Sequence, residues 1–250
     1  QALAGAGRAA ESQLVLASAV LLAARNDRAA VAVNLGAQVL AAQPPLEEEV
    51  QLQVRHLMAD VEFERGGLAP ALAALGDARG APDVAKRYEL AMRAGDVPAA
   101  AESRARLAGG TVEELLELAS ADERLERFAA ALPLLEKALA ADPSSGELRF
   151  RTAIALERTG RFEASVKIFS ALIVDEPDHA PALNYLGYMQ IERGAEVEEG
   201  LALVRRALLI DPNNGAYVDS LGWGLYRLGR FAEASAVLER ASRLLPSDST

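Results

Sequence analysis

The sequence contains no cysteine, which excludes disulfide bonds and thiolate metal sites. Aromatic residues make up only 5% of the 250 residues, whereas 51% are hydrophobic. The apolar content is therefore mainly alanine and leucine, a composition that favours helices over strands. The 26 lysines and arginines are outnumbered by 36 aspartates and glutamates, so the net charge is -10. This acidic balance disfavours a surface for nucleic acid or anionic lipid, because either needs clustered basic residues.

A repeat of 34 or 35 residues organises the C-terminal half of the chain. Its units align on Pro143, Pro177, Pro212 and Pro246, which lie close to their ends. Within a unit, two amphipathic segments flank a short turn, clearest in RTGRF and RLGRF, where glycine ends a helix in the left-handed conformation. The third unit has one extra residue in RGAEVEEG, which predicts a longer turn. The pattern predicts helical hairpins over residues 112–145, 146–179, 180–214 and 215–248.

These repeats resemble the tetratricopeptide repeat (TPR) family, which has Leu-Gly in the first helix, a small residue in the second and a closing proline. The matching residues in the last two units are Leu221, Gly222, Ala234, Ala241 and Pro246, and Leu186, Gly187, Gly200, Ala207 and Pro212. The resemblance implies an all-α fold, a right-handed superhelical solenoid of about seven antiparallel helical hairpins. Residues 1–111 would supply less regular, TPR-like hairpins at 13–46, 48–78 and 81–109.

The longest apolar run, LVLASAVLLAA at 14–24, is too short to span a bilayer. It is similar to the apolar part of a signal peptide, and Arg8 precedes it. However, the run falls in register with the repeats, which favours a core helix over a targeting segment. No membrane insertion is therefore expected from this chain.

No sequence motif supports catalysis. GAGRAA at 5–10 has the form of a dinucleotide-binding motif but lacks the preceding strand, so a helix start is the preferred interpretation. The chain has no P-loop, zinc-protease or serine-hydrolase motif, and His56 and His179 lie in different hairpins. His179 falls in a turn between repeats and is expected to be solvated. We therefore expect no catalytic residue, no metal site and no cofactor.

The resemblance also implies which residues bind a partner, because one face of each first helix lines a concave groove in the family. Aromatic and arginine side chains, typical anchors of protein interfaces, concentrate there in the last three units. The alternative is that these aromatics pack against the next hairpin. Trp223, between Gly222 and Gly224, is the most unusual candidate. The predicted partner-binding residues are Phe150, Arg151, Arg158, Asn184, Tyr185, Tyr188, Trp223, Tyr226 and Arg227.

The function implied is a non-catalytic scaffold or adaptor that binds a protein or an extended peptide in the groove. LNYLGY and DSLGWGLYRLGR look like stretches of large bacterial TPR proteins, some of which tether or activate periplasmic proteases or export machinery. This likeness favours the periplasmic side of a bacterial envelope. Two alternatives remain: the regulatory TPR region of a larger enzyme such as a glycosyltransferase, and a structural protein that self-associates through an uncapped end near Val237, Leu244 and Leu245.

Overall fold

Thirteen helices and no strand lie in the residues that the computed structural model describes, which are 20, 23, 28–41, 47–77, 79–194 and 196–245. The predicted all-α fold of helical hairpins is confirmed, whereas GAGRAA at 5–10 lies outside the described residues. The helices are α1 (Ala29–Leu40), α2 (Glu48–Gly66), α3 (Leu68–Leu75), α4 (Ala81–Ala94), α5 (Val97–Leu107), α6 (Val112–Arg124), α7 (Phe128–Ala141), α8 (Gly146–Arg158), α9 (Phe162–Asp175), α10 (Ala180–Arg193), α11 (Val197–Ile210), α12 (Gly215–Arg227) and α13 (Phe231–Leu244).

Consecutive helices pack as hairpins, and within each unit some neighbouring hairpins contact each other through their first helices. The hairpins include α2 with α3, α4 with α5, α8 with α9, α10 with α11, and α12 with α13. The first helices α2 and α4, α4 and α6, and α10 and α12 are in contact. A residue on a first helix can therefore reach its counterpart about one repeat away in sequence.

The turn inside a hairpin requires a left-handed residue. Gly160 and Gly229 take φ values of +79° and +75°, as the two turn motifs predict. Glu126 occupies the same position one repeat earlier, with a φ of +55°. Two residues separate Gly194 from α11, against one between Gly160 and α9, so the extra residue of the third repeat lengthens the turn as expected.

Small residues allow the two helices of a hairpin to touch. A Cβ added to Gly187 would lie 2.6 Å from the carbonyl oxygen of Gly200, and the reverse substitution would be equally close. In the preceding hairpin, the Ser165 hydroxyl donates to the carbonyl oxygen of Ala153 at 2.7 Å. A Cβ on Gly222 would meet the Leu238 side chain at 2.6 Å. The small-residue positions of the repeat are therefore sites of close helix packing.

Polar caps begin the first helices. The Ser145 hydroxyl accepts from the amide of Leu148, and the Asn214 side chain accepts from the amides of Ala216 and Tyr217. The expectation that His179 is solvated is wrong. Its Nδ1 accepts from the amide of Ala182 at 3.1 Å, and its ring lies 5.3 Å from that of Phe150. The imidazole thus caps α10 and packs on the core.

The chain divides into two units, residues 1–134 and 135–250. In the first, Val20 and Ala23 of the apolar run 14–24 are buried against Ala32 and Val39, as expected for a core helix. In the second, buried clusters form around Phe169 and around three further residues, Ile191, Leu201 and Val204. The predicted change from irregular to regular hairpins at 111/112 concerns sequence regularity and stays a prediction.

Candidate protein-binding surface

Phe150 and Tyr185 belong mainly to the core of the second unit. Both rings are half-buried and pack on the buried Phe169, with centroid separations of 5.8 Å and 5.3 Å. The Tyr185 hydroxyl donates to Glu157 at 3.1 Å. Burial and the charge of Glu157 raise the pKa of Tyr185. These two predicted binding residues therefore contribute mainly to the packing of the core.

Tyr188 is different, because 42% of it is exposed. It borders an opening of about 460 Å³ that Arg158, Tyr185, Glu192 and Arg193 also line. Partial burial, together with the charges of Glu192, Asp219 and Glu157, raises the pKa of the Tyr188 hydroxyl. The ring is thus available to a partner in a setting dominated by negative charge.

Trp223 packs on the core on one side and stacks on an exposed ring on the other. The indole is half-buried against the cluster of Ile191, Leu201 and Val204, and its Nε1 donates to Glu192 at 2.8 Å. Its outer face stacks on Tyr226, with a centroid separation of 5.4 Å and an interplanar angle of 15°. Trp223 therefore combines the core reading and the binding reading of the sequence.

Gly224 has a packing role that sequence reasoning missed. A Cβ at this position would lie 2.5 Å from Leu201 Cδ2 and 3.0 Å from Ile191 Cδ1. Both neighbours belong to the preceding hairpin. The two glycines beside Trp223 thus serve different contacts, Gly222 within its own hairpin and Gly224 between hairpins.

Phe231 extends the aromatic group and was also missed. Tyr226 is 49% exposed and Phe231 62% exposed, and their ring centroids lie 5.4 Å apart. Phe231 is the last residue of the turn motif RLGRF, as Phe162 is the last residue of RTGRF two repeats earlier. The equivalent ring of Phe162 is half-buried beneath the Arg193 guanidinium, 3.8 Å from the ring centroid. A comparison of these two turn motifs in the sequence could have identified Phe231 as a candidate residue.

The polar members of the predicted set are already engaged, with one exception. Arg227 donates to the carbonyl oxygen of Glu192 at 2.8 Å and lies 5.7 Å from the Trp223 ring. Arg151 and Arg158 on α8 also make contacts within the chain. Asn184 is half-buried, and its side-chain oxygen has no hydrogen-bond partner. Glu192 lines the opening beside Tyr188 and also accepts the hydrogen bond from Trp223, so it lies between these two aromatic residues. Asn184 lies on the same helix as Glu192.

In the first unit, the contacts between first helices consist of ion pairs. Lys86 on α4 donates to Asp60 on α2 at 2.8 Å and to Glu89 at 3.0 Å. Arg124 on α6 donates to Glu89 at 2.8 Å. Arg93 pairs with both Asp60 and Glu64. This ladder links α2, α4 and α6.

Two buried carboxylates anchor the ladder. Asp122 is fully buried and accepts from the Tyr88 hydroxyl, from Arg104 at 2.6 Å and from Arg127 at 3.3 Å. Asp83 is buried beside His56 at 3.2 Å. Burial lowers the pKa of His56 more than Asp83 raises it, and the Lys86 charge acts in the same direction as burial. The imidazole is thus favoured in its neutral form.

The described part of the chain offers neither a metal centre nor a membrane span. Across these residues, no group of three or more histidine, aspartate or glutamate side chains is placed to hold a metal ion. No helix within the described ranges is both long enough and apolar enough to cross a bilayer.

Residues 124–187 match the tetratricopeptide repeat family. A TPR repeat-containing protein of Pseudomonas aeruginosa is 27% identical over 169 residues, which is 66% of this chain and 29% of that protein. The chain thus spans about three tenths of that relative's length.

One solved structure shows the same fold. A tetratricopeptide repeat protein from Parabacteroides merdae superposes with a TM-score of 0.59 over 95% of both chains, at 15% identity. MamA from Desulfovibrio magneticus matches 80% of this chain and 97% of its own, at 17% identity and a TM-score of 0.48. The sequence match over residues 124–187 and the repeated helical hairpins support the similarity of these repeats to the tetratricopeptide repeat family.

Proposed function

We propose that the protein is a non-catalytic scaffold that binds a protein or an extended peptide through its second unit. The contact region is an aromatic surface formed by Tyr188, Trp223, Tyr226 and Phe231. The observation that carries the proposal is the exposure of these rings: 42% for Tyr188, 49% for Tyr226 and 62% for Phe231. The TPR fold supports a role in protein–protein interaction.

Exposed, mutually stacked rings suit a binding role. Aromatic side chains bury much area with few rotatable bonds, so they contribute most of the binding energy at many interfaces. The Trp223–Tyr226 stack is held from behind by the Trp223 hydrogen bond to Glu192. A partner therefore meets a preorganised surface and loses little conformational entropy in the protein.

A polar group beside the rings can orient an extended backbone. Arg227, fixed against Glu192 and Trp223, keeps the rim in place. This residue complements the rings by positioning a ligand.

The finer form of the proposal is that the partner is an envelope component, such as a processing protease or an export complex, that the scaffold tethers or activates. It is supported by the resemblance of LNYLGY and DSLGWGLYRLGR to envelope TPR proteins. Affinity capture from the source cells, with the wild-type chain and with Tyr188→Ala/Tyr226→Ala in parallel, tests it. A surface-dependent envelope protein supports this form, and a surface-dependent protein of another compartment contradicts it.

A second candidate is an interaction region within a longer protein, including an enzyme. It is favoured by the relative from Pseudomonas aeruginosa, of whose length this chain spans 29%. A longer reading frame with a catalytic domain would support it.

The principal test uses a displayed library of random dodecapeptides selected on the full chain and remeasured as synthetic peptides. Tyr188→Ala/Tyr226→Ala should weaken their binding by at least about 30-fold, as loss of two interface anchors does. The matched control is Val174→Ala/Leu209→Ala, which truncates two side chains that are 75% and 83% exposed on the second helices α9 and α11. Equal effects of the two double variants would refute the proposed surface.

Light scattering of the free chain completes the test. Self-association through the ring of Phe231, which is 62% exposed, would raise the mass with concentration and compete with peptide. A constant monomer mass, together with peptide binding, supports a scaffold over a self-assembling structural protein.

A further inference from the structure

Three carboxylates from successive first helices surround Tyr188. Glu157 lies on α8, Glu192 on α10 and Asp219 on α12, and each acts electrostatically on the Tyr188 hydroxyl. Glu157 and Glu192 also line the 460 Å³ opening beside this ring. The carboxylates therefore form one side of the surface on which Tyr188 is exposed.

The donors that satisfy these carboxylates are largely uncharged. Glu157 accepts from the Tyr185 hydroxyl, and Glu192 accepts from the Trp223 indole at 2.8 Å. The Arg227 guanidinium lies 3.9 Å from the Glu192 carboxylate. Asp219 is exposed. Neutral donors orient a carboxylate without cancelling its charge, so the surface keeps a negative potential.

The nearby arginine side chains make contacts with other residues of the chain. Arg193 covers the ring of Phe162 at 3.8 Å, and Arg227 donates to a backbone carbonyl while lying over Trp223. Arg158 lines the opening and has its own contact within the chain. The sequence alone allowed these arginines to meet an acidic peptide. Their guanidinium groups keep their positive charge, but these contacts hold them in place, and the charges that act on the exposed Tyr188 hydroxyl are those of the three carboxylates.

We propose that the partner of the aromatic surface is an extended, basic peptide segment whose lysine or arginine side chains lie between the aromatic faces and the carboxylates Glu157, Glu192 and Asp219. This inference rests on the proposed function and adds the chemistry of the partner. Ammonium and guanidinium groups are attracted to the faces of tyrosine and tryptophan, and charge complementarity speeds encounter and excludes acidic competitors.

The test selects dodecapeptides from a random display library on the full chain and compares lysine and arginine frequencies with those of the unselected library. Selected peptides are remade synthetically and titrated, with the emission of Trp223, the sole tryptophan, as the readout. We expect enrichment of basic residues and weaker binding at high salt, since ions screen exposed charges.

A charge-neutralising variant gives the decisive arm. Glu157→Gln/Asp219→Asn keeps size and hydrogen-bonding capacity, and should weaken basic peptides by about tenfold, in line with two part-exposed charge pairs. The matched control, Glu198→Gln/Glu239→Gln, removes two exposed carboxylates from the second helices α11 and α13 and should change binding less than about twofold.

The outcomes separate this inference from the proposed function. Basic peptides that lose affinity in the neutralised variant and not in the control support the inference. Acidic or neutral peptides that depend on Tyr188 and Tyr226 overturn it while leaving the proposed function intact. Failure to select any peptide that depends on these tyrosines overturns both.

Discussion

The two units of the chain use contacts between first helices in opposite ways. In residues 1–134, Lys86, Glu89 and Arg124 join α2, α4 and α6 through ion pairs, and Asp122 is fully buried. In residues 135–250, the corresponding helices present Tyr188 and Tyr226 with 42% and 49% exposure. A surface whose charged groups already pair with each other leaves few groups for a ligand to contact. Exposed aromatic rings, in contrast, are available to a ligand. On this comparison we propose that the contacts of the first unit stabilise the fold and that the second unit binds the partner.

Removing a buried carboxylate from the first unit should have the largest effect on stability. Asp122→Ala leaves Tyr88, Arg104 and Arg127 without their shared acceptor, and should lower the free energy of unfolding by about 3 kcal/mol. Urea denaturation measures the loss. Asp219→Ala, at an exposed carboxylate of the second unit, should stay within about 0.5 kcal/mol. Equal losses would break the comparison.

Within the second unit, replacing Trp223 should cost more stability than replacing Tyr188. Trp223→Ala removes a half-buried ring from the cluster of Ile191 and Leu201 and should destabilise by about 2 kcal/mol, below the range for fully buried aromatics. Tyr188→Ala should cost less than about 1 kcal/mol, because much of its ring is already solvated. Thermal denaturation of the two variants checks this order. A larger loss for Tyr188→Ala would show that its ring is a core residue.

Acid should weaken the first unit through His56. Its folded pKa is lowered from the ordinary 6.5, so the unfolded chain binds the proton more readily. The contribution of His56 to stability is therefore complete above about pH 6.5 and is lost as pH falls below that value. Burial raises the pKa of neighbouring Glu89, but the charges and hydrogen bonds of Lys86 and Arg124 together lower it by more, so the contribution of Glu89 is lost only at lower pH.

His56→Gln tests the acid prediction, because it keeps a polar side chain beside Asp83 and removes the titration. The free energy of unfolding of this variant should vary less with pH between about 7 and 5 than that of the wild type. An unchanged slope in His56→Gln would contradict the assignment.

The smallest expected effect is a gain in stability. Glu126 holds the left-handed turn position that Gly160 and Gly229 occupy in the second unit. Glu126→Gly should relieve the backbone strain and stabilise by about 0.5 kcal/mol, after the greater entropy of glycine in the unfolded chain is subtracted. Chemical denaturation measures the change. Gly160→Glu should show the opposite sign, and a loss of stability in Glu126→Gly would refute the strain.

The fold could be predicted from sequence because its determinants recur locally. The prolines at 34- or 35-residue spacing and the turn glycines Gly160 and Gly229 mark helix ends that the structure reproduces. Gly187 and Gly200 marked a close helix contact for the same reason. Each of these features depends on one residue and its own hairpin, so a single sequence displays it.

The contacts within the candidate surface could not be predicted from the sequence, because they join residues of different hairpins. Trp223 bonds to Glu192, and Gly224 makes room for Leu201, so both roles depend on the neighbouring hairpin. The ion pair between Glu89 and Arg124 likewise joins residues one repeat apart in the least regular part of the sequence. Exposure is also a property of packing, which is why the sequence could not separate half-buried Tyr185 from exposed Tyr188.

Hydrogen–deuterium exchange of the full chain, with and without a selected peptide, tests the central claim most directly. The account predicts that peptide slows exchange in α8, α10 and α12, which carry Glu157, Tyr188 and Trp223. Exchange in α2, α4 and α6 should be unchanged, because their ion pairs are already made. Protection concentrated in α2, α4 and α6, with none in α10 and α12, would contradict the assignment of recognition to the second unit.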